Sequence, residues 1–392
     1  MKQIVIVATA RTGSAKFGGA LQTLTAPEFG AQLVRGMLAR SGIDPKVIDQ
    51  TVFGSAWQAG VGPNPARITA VNAGVPVDSP AVSVNVRCGS SLQALIFGAQ
   101  AILAGDARAV LVGGTESASQ IPYALPGARW GYRMGASELV DLMHKDGFRC
   151  PLGGGLMGEL TDDLAKELDI GRKEQDEFAV ESHQKASAAF KAGKFEAEVV
   201  AIEVPGKKGP TQFAGEEILR EDASVESMAK LKPVFRKDGG ITAANACALC
   251  DAAAAQVLMD AERAKELGLK PVAKLKGYAF VGYEPKRFGL SPSRAIPEAL
   301  KKAGMQLGDV DLIELNEAFA AQYLACERAL KLDRTRVNVH GGAIALGHPV
   351  AATGSKILTT LIHALRDRNK SVGVASACIG GGNGVAVVVE RV

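Results

Sequence analysis

The sequence predicts an α/β protein made of two similar halves, and three observations support that prediction. Strand-like apolar runs alternate with helical patterns of roughly 12 to 15 residues, which is typical of mostly parallel or mixed sheets covered by helices on both faces. The 392 residues include 45 glycines, 47% hydrophobic and 22% charged residues, as in a soluble globular chain with many tight turns. Segments from the first third of the chain also recur near the C-terminus. Two such halves can bury a pair of helices between them, so we expect a five-layer αβαβα sandwich.

The duplication is visible in four pairs of segments. The pairs are QIVIVATA with VAKLKGYAFV, SGIDPKVIDQTVFGSA (41–56) with AGMQLGDVDLIELNEA (303–318), SVNVRCGSS (83–91) with RVNVHGGAI (336–344), and ARAVLVGGTES (107–117) with KSVGVASACIGGG (370–382). Each member of the third pair predicts a short strand that closes on a small-residue turn, and helices follow at about 90–104 and about 351–366. One long-period duplication favours two packed halves over a solenoid, which needs at least three repeats.

The duplication also suggests domain boundaries. We expect residues 1–119, completed by about 250–268, to form the N-terminal half of the core, and residues 270–392 to form the C-terminal half. Residues 120–249 have no counterpart in the C-terminal half and are expected to form an inserted loop domain. An insertion of this size on a duplicated core is typical of a substrate-recognition element.

The insertion contains one clear helical pattern. Residues 172–193 have amphipathic spacing and end at Gly193, a typical C-terminal cap. This pattern predicts a helix that packs one face against the core.

Composition and charge exclude several classes of protein. The formal charge of +4 is spread along the chain without basic and aromatic blocks, so we expect no nucleic-acid partner. The six cysteines have no disulfide-framework spacing, which indicates thiols in a reducing compartment and a cytoplasmic location. The N-terminal MKQIVIVATART has too short an apolar run for a signal peptide, and no run is long enough to span a membrane. We therefore expect neither a membrane association nor a metal site.

Four polar side chains lie where predicted strands end. Cys88 sits at a strand-to-helix joint, where the amides and dipole of a helix N-terminus can stabilise a thiolate. The others are Asn316 in ELNEAFA, His348 in a glycine-rich turn, and Cys378 before a glycine run. Taken singly, Cys88 is better explained as a packed thiol and Asn316 as a helix cap, while His348 fits a structural histidine as well as a catalytic one and the glycine run after Cys378 fits a simple turn. Together they converge on the rim where α/β sheets bind ligands, and a cysteine nucleophile needs an adjacent base.

The motifs NEAFA, HGGAIALGHP and CIGGGNG, with an upstream CGS, resemble the thiolase family over essentially the whole chain. The resemblance implies the thiolase fold and acyl transfer between acyl-CoA molecules. It implies that Cys88 takes the acyl group as a thioester, that His348 deprotonates Cys88, and that Cys378 shuttles a proton. It further implies two oxyanion holes, one formed by His348 with a water held by Asn316, and one by the amides of Cys88 and Gly380.

The resemblance also assigns substrate contacts. It implies that Arg220 lies near the adenine of CoA and that Ser227 and Phe235 lie along the nucleotide and pantetheine. The remaining implied CoA or substrate contacts are Met157, His183, Ala243, Cys247 and Phe319. The resemblance implies no bound cofactor, with CoA and acyl-CoA as substrates, a role in fatty acid metabolism including beta-oxidation, and a homodimer or homotetramer whose tetramer contacts are made by residues 129–148.

Several residues depart from the family pattern. Two residues near the candidate site, Ser91 and Ala351, replace usual glycines. In the segment TAANACALCDAAAA (242–255), glycines are replaced by Ala244, Ala248 and Ala252, a serine by Cys247 and an asparagine by Cys250. Alanine in place of glycine is costly where φ is positive, so these changes predict a reshaped pocket. The CxxC lacks a second ligand pair, which argues against a metal site. Leu156 replaces a histidine common in short-chain members, which predicts a larger or more apolar acyl group.

Two alternatives remain open from the sequence. Another condensing enzyme of the superfamily, such as a ketoacyl synthase, lacks a second cysteine at the position of Cys378 and usually carries histidine at the position of Asn316. The other alternative is an acyl-CoA binding protein on this fold without turnover, suggested by the alanines at usual glycine positions.

Overall fold

The structure is a computed structural model that describes residues 2–392. Its α-helices are α1 (Ala26–Ser41), α2 (Pro65–Asn72), α3 (Ser90–Ala104), α4 (Met157–Glu167), α5 (Arg172–Lys191), α6 (Val225–Ala229), α7 (Ala261–Glu266), α8 (Pro292–Ala303), α9 (Ala320–Leu330), α10 (Ala343–Leu346) and α11 (Thr353–Asp367). Its strands are β1 (Ile4–Arg11), β2 (Ala15–Lys16), β3 (Gln50–Gly54), β4 (Ala81–Val84), β5 (Ala109–Ser117), β6 (Tyr123–Ala124), β7 (Val140–Asp141), β8 (Arg149–Cys150), β9 (Gly155–Leu156), β10 (Ile202–Val204), β11 (Thr211–Phe213), β12 (Cys250–Asp260), β13 (Ala273–Gly282), β14 (Leu312–Leu315), β15 (Val372–Ile379) and β16 (Asn383–Arg391).

Four strands of each half follow the same order, and the N-terminal half has β4 as an additional edge strand. The N-terminal half runs β1-β12-β5-β3-β4 and the C-terminal half runs β13-β16-β15-β14. A short antiparallel ladder, Val5 with Lys274 and Ile6 with Ala273, joins β1 to β13, so the halves form one continuous ten-stranded sheet with β2 attached to β12. The matching order confirms that the sequence repeats indicate two similar α/β halves.

The helices form three layers around the two halves of the sheet. Helices α3 and α11 lie in the middle, where α3 packs on β3 and β5 and α11 packs on β14, β15 and β12. Helices α1 and α2 cover the outer face of the N-terminal half, and α8 and α9 cover the outer face of the C-terminal half. Three buried apolar clusters fill the interfaces between these layers, and burial of that apolar surface drives their packing. The result is the predicted five-layer αβαβα sandwich.

One predicted strand is wrong. The sequence predicts a strand at the start of RVNVHGGAI, but only a single parallel bridge forms there, between Ile313 and Val337. Asn338 follows with φ +46, and its side chain takes over the pairing: Oδ1 accepts from the Leu315 N–H and Nδ2 donates to the Leu315 carbonyl, both at 2.9 Å. The side-chain amide replaces the next peptide group of the ladder and turns the chain toward the site.

Residues 120–249 contribute no strand to the ten-stranded sheet and form only two-stranded ladders beside helices α4, α5 and α6. The helix predicted at 172–193 ends at Lys191, with Ala192 as its cap and Gly193 in the left-handed region at φ +67. The exact domain boundaries remain a prediction. Among the helices of residues 2–392, none combines the length and apolar character that a bilayer crossing requires.

Candidate active site

The central feature of the site is a cysteine facing a histidine from the other half of the core. Cys88 lies in a 3₁₀ turn, Arg87–Gly89, just before α3, and His348 lies in the loop between α10 and α11. The Cys88 Sγ is 3.1 Å from His348 Nε2. The two central helices begin side by side, since the Ser91 N–H donates to the Ala351 carbonyl at 3.1 Å. The duplicated fold therefore places the start of each central helix at one point.

A hydroxyl sets the tautomer of His348. Thr353 Oγ1 is 2.6 Å from His348 Nδ1 and donates its single proton to the Pro349 carbonyl at 3.1 Å. This arrangement favours the tautomer in which Nδ1 donates to the hydroxyl oxygen and Nε2 carries no proton. Burial, aided by the nearby charges of Lys356 and Arg87, lowers the pKa of His348 to about 3. His348 therefore rests as a neutral base whose free nitrogen faces the thiol.

The thiol is also neutral at rest. Burial raises the pKa of Cys88, and this effect outweighs the lowering by the Arg87 charge and by the backbone N–H groups of Gly380 and Cys88. The expectation that the helix N-terminus stabilises a resting thiolate is therefore wrong, because the sequence does not reveal how completely the second half of the core covers the sulfur. A neutral thiol beside a neutral imidazole avoids burying two separated charges, so the proton moves only as the sulfur attacks.

A second cysteine lines the same cavity as this pair. Cys378 is the penultimate residue of β15, is 1% exposed, and lines the same cavity as Cys88, His348 and Gly380. Burial, with the neighbouring thiols, raises the pKa of Cys378 well above its ordinary value. The thiol can therefore donate a proton, and it gives one up only to a strong base.

Asn316 lies at the end of β14, completely buried. Its backbone N–H donates to the Ser376 carbonyl at 2.9 Å, and neither its side-chain Oδ1 nor its Nδ2 has a partner within residues 2–392. The next residue, Glu317, accepts from Ser182 Oγ and Asn338 Nδ2, both at 2.8 Å, which fixes the turn. An unpaired buried amide on a fixed turn has donors and acceptors free for a ligand or water. Asn316 does not itself line either of the cavities described next.

Two connected cavities lead to the sulfur. A cavity of about 80 Å³ surrounds Cys88, His348 and Cys378, and a larger one of about 470 Å³ opens next to it. The six residues common to both cavities are Phe148, Met157, Cys247, Phe319, His348 and Val350. The larger cavity has mostly apolar walls, and a narrow apolar channel that ends at a nucleophile suits the arm of a long substrate.

The structure divides the predicted CoA contacts into two groups. Met157, Phe235, Ala243, Cys247 and Phe319 line the larger cavity. Arg220, Ser227 and His183 line neither cavity. The exposed Ser227 caps α6 together with Ser224, and the Arg220 N–H donates to Nδ1 of the buried His183 at 3.3 Å. Burial lowers the pKa of His183 to about 4, so a neutral His183 holds the backbone of Arg220 rather than facing the channel.

Comparison with known proteins agrees with this geometry. Two family models together match nearly the whole chain, "Thiolase, N-terminal domain" over residues 4–262 and "Thiolase, C-terminal domain" over residues 269–391. The chain belongs to the thiolase family. An acetyl-CoA acetyltransferase of Cupriavidus necator is 48% identical over 392 residues, and the match covers 100% of both chains.

Solved structures confirm the fold. An acetyl-CoA acetyltransferase from Syntrophomonas wolfei is 40% identical, covers 100% of both chains and superposes with a TM-score of 0.98. Human mitochondrial 3-ketoacyl-CoA thiolase is 38% identical, with 100% of this chain and 99% of that chain covered and a TM-score of 0.96. The duplicated five-layer architecture is therefore that of a thiolase.

The alanines at usual glycine positions cause no backbone strain in this thiolase. Within residues 2–392, the residues other than glycine with positive φ are Arg87, Asp169, Lys331, Asn338 and Asn369. Ala244, Ala248, Ala252 and Ala351 are not among them, so each alanine has a conformation open to any residue. Leu156 lines neither cavity, and the buried Cys250 packs behind Gly347 rather than in the channel. The expected reshaping of the pocket thus does not arise through strained turns.

Ser91 and Ala351 instead form a contact between the two central helices. The Ser355 N–H, in the first turn of α11, donates to Ser91 Oγ at 2.8 Å. Ala352, the N-cap residue of α11, has no side-chain cap of its own. Ser91 therefore supplies from α3 a hydrogen bond that a helix N-terminus normally receives from its own capping side chain.

We expect Ser91→Ala to lower the free energy of unfolding by about 1 to 2 kcal/mol, because the buried Ser355 N–H loses its acceptor. Urea unfolding monitored by circular dichroism measures the change. Ser355→Ala is the matched control, since the Ser355 hydroxyl is buried without a partner and its loss should change stability little. Equal stability of Ser91→Ala and the wild-type chain would contradict the capping role.

A buried carboxylate links the two walls of the site. Glu116 accepts hydrogen bonds from the backbone N–H groups of Ala56 at 3.1 Å, Trp57 at 3.2 Å and Ala351 at 3.0 Å. Burial raises the pKa of Glu116 from 4.5 to about 7 despite these donors. The native state therefore binds this proton more tightly than the unfolded chain does.

It follows that the Glu116 contribution to the free energy of unfolding is largest below pH 4.5 and falls as the pH rises to about 7. The total loss is up to about 3 kcal/mol. The glutamine of Glu116→Gln cannot titrate, so the free energy of unfolding of this variant should not fall over this pH range on account of residue 116. All other titrating groups contribute equally to the variant and the wild-type chain. Urea unfolding at pH 5, 6, 7 and 8 compares the two slopes, and identical slopes would contradict the raised pKa.

Several residues at the site escaped the sequence analysis. Thr353 contacts His348, and Glu116 accepts from the Ala351 N–H. Trp57 and Arg87 pack against each other in the wall of the cavity that holds Cys88. The only local signal was for Arg87, a charged residue directly before the candidate nucleophile. Within residues 2–392, no group of three or more His, Cys, Asp or Glu side chains is arranged to hold a metal ion.

Proposed function

We propose that this chain is a CoA-dependent thiolase that transfers an acyl group through a thioester on Cys88. The observation that supports this most directly is the 3.1 Å contact between Cys88 Sγ and His348 Nε2 at the end of an apolar channel. Membership of the thiolase family, with relatives named as acetyl-CoA acetyltransferase and 3-ketoacyl-CoA thiolase, supports the same reaction class.

In the first half-reaction, a 3-ketoacyl-CoA is cleaved. The Cys88 thiol passes its proton to His348 Nε2 while the sulfur attacks the 3-keto carbon. The bond between C2 and C3 breaks, its electron pair goes to C2, and Cys378 donates a proton to C2. Acetyl-CoA leaves, and the rest of the acyl group stays on Cys88 as a thioester. The N–H groups of Gly380 and Cys88 lie at the sulfur, where they can stabilise the developing oxyanion.

In the second half-reaction, CoA removes the acyl group. The CoA thiol gives its proton to the Cys378 thiolate and attacks the thioester carbon, and the departing Cys88 sulfur recovers its proton from His348. Each proton is returned, so the cycle is reversible and the same groups serve thiolysis and condensation. No resident cofactor or metal takes part in these steps, since two thiols and one imidazole supply every proton transfer.

The channel suits the pantetheine arm, and the polar residues outside it suit the nucleotide. We place the arm between Phe235, Phe319 and Cys247, and the nucleotide near Arg220 and Ser227. We further propose a cytoplasmic enzyme of fatty acid metabolism, including beta-oxidation. A homodimer or homotetramer is supported by the exposed apolar side chains of the segment 123–139, where Trp130 is 86% and Met134 is 97% exposed.

A thiolysis assay tests the proposal. The wild-type chain is given CoA and 3-ketoacyl-CoA substrates with acyl chains of four to sixteen carbons, and loss of the substrate's enolate absorbance is followed. We expect turnover with at least one chain length. CoA binding without turnover at any length would overturn the enzyme and support an acyl-CoA binding protein on the same fold.

A further inference from the structure

The residue before the nucleophile has a position that the thiolase reaction does not require. Arg87 directly precedes Cys88 and adopts φ +53, a left-handed conformation that is uncommon for a side chain of this size. It lines the 80 Å³ cavity together with Trp57, Gly147 and Phe148. Backbone strain of this kind concentrates at functional sites, where it fixes the direction of a side chain.

The guanidinium of Arg87 is held at the cavity wall. Its Cζ lies 4.6 Å from the centre of the Trp57 ring, and its Nη2 donates to the Gly147 carbonyl at 2.8 Å. Trp57 is 4% exposed, and the Phe148 ring packs edge-on against it with the ring centres 6.2 Å apart. An aromatic face and a carbonyl thus orient the guanidinium and leave further N–H donors free.

The charge of Arg87 has no carboxylate partner. Arg11 and Arg334 also lie over aromatic rings, and each of them binds two glutamates. None of the ion pairs found in residues 2–392 includes Arg87. The buried carboxylate of Glu116, whose pKa the Arg87 charge lowers, accepts instead from three backbone N–H groups. A half-buried guanidinium with free donors is a ready site for an incoming carboxylate.

We propose that Arg87 is a specificity-determining residue that selects a short acyl chain ending in a carboxylate. This inference rests on the proposed function. The cavity of about 80 Å³ limits the chain to a few carbons, and its walls of Trp57, Phe148 and Val350 suit methylene groups between the reacting carbonyl and the charged end. The alternative expectation of a larger or more apolar acyl group was based on Leu156, which lines neither cavity.

Two substrates of equal length test the selection. The acyl chain of 3-oxoadipyl-CoA ends in a carboxylate, and 3-oxohexanoyl-CoA has a methyl group at the same position. We expect the wild-type chain to cleave the first with a kcat/KM at least tenfold higher. The matching acyl donors, succinyl-CoA and butyryl-CoA, test the same preference through the amount of adduct on Cys88, measured by intact-protein mass spectrometry.

Variants of Arg87 test whether its charge causes the preference for the carboxylate substrate. Arg87→Met should lower the ratio of kcat/KM for the carboxylate substrate to kcat/KM for the methyl substrate by about 10- to 100-fold, the loss typical of a charged hydrogen bond. A loss common to both substrates reports the effect of the Arg87 charge on Cys88 and His348 and cancels in this ratio. Arg87→Lys keeps the charge and should retain part of the preference. Arg108→Met is the control for net charge, since Arg108 lies on the surface in an ion pair with Glu266, and its preference should equal that of the wild-type chain.

Each outcome decides the inference. A wild-type preference for the methyl substrate would overturn it, as would an equal loss on both substrates in Arg87→Met, which would assign Arg87 to the Cys88 thiol instead. Acetoacetyl-CoA separates this failure from that of the proposed function. If acetoacetyl-CoA is cleaved without a carboxylate preference, only the selection fails, whereas no cleavage and no adduct with any substrate would overturn both.

Discussion

Replacing Cys88 with serine is expected to lower kcat for thiolysis by more than about a thousandfold and to abolish the acyl adduct. A serine hydroxyl has nearly the size of the thiol and can still donate to His348 Nε2, 3.1 Å from the present sulfur. Its proton is far harder to remove, and burial has lowered the pKa of His348 to about 3, so the base is too weak for an alcohol. Turnover and intact mass measure the two effects.

Cys326→Ser is the matched control for this substitution. Cys326 lies buried on α9, lines neither cavity, and donates to the Gly289 carbonyl at 3.1 Å, a bond that a hydroxyl can also make. We expect its turnover to stay within about threefold of the wild-type chain. Similar losses in Cys88→Ser and Cys326→Ser would show that the site assignment is wrong.

Replacing His348 with asparagine is expected to lower kcat by about 10²- to 10⁴-fold, the usual contribution of a general base. Asparagine can hydrogen-bond to Thr353 and Cys88 but cannot accept the thiol proton. The pKa of Cys88 is raised by burial, so without the base the sulfur remains a thiol at neutral pH. Single-turnover acylation measures the loss in the step that the base serves.

His363→Asn is the control for His348→Asn. His363 lies on α11, the helix that follows the His348 loop, and burial lowers its pKa to about 4, yet it lines neither cavity of the site. Its replacement should leave the acylation rate nearly unchanged. An acylation rate in His348→Asn close to that of the wild-type chain would contradict the role of His348 as base.

The sequence was sufficient to predict the site residues that the duplicated fold brings together. Cys88 and His348 lie next to corresponding joints of the two halves, so equal folds place the starts of α3 and α11 together. Cys378 follows in the same way from its position at the end of β15. Cys88, His348 and Cys378 could be predicted because each occurs in a short segment whose strand and turn patterns are local. Asn316 was predicted from a segment of the same kind but lines neither cavity.

The protonation state of Cys88, the position of Arg87 and the missing strand before His340 depend on contacts that no local sequence pattern encodes. The pKa of Cys88 rises because the opposite half buries it, and Arg87 acquires its place from Trp57 and Gly147, which are distant in sequence. The strand expected before His340 is missing because the side chain of Asn338 replaces its ladder. These features follow from the assembled fold rather than from propensity.

The most direct test of the central claim is a mass measurement of the acyl-enzyme. The wild-type chain is incubated with a mixed pool of acyl-CoA molecules, quenched in acid, and analysed intact and after digestion. We predict one added acyl group per chain, located on the peptide that contains Cys88 and released by CoA. An adduct on Cys247, Cys250 or Cys378 in its place, or no adduct under conditions that support turnover, would contradict the account.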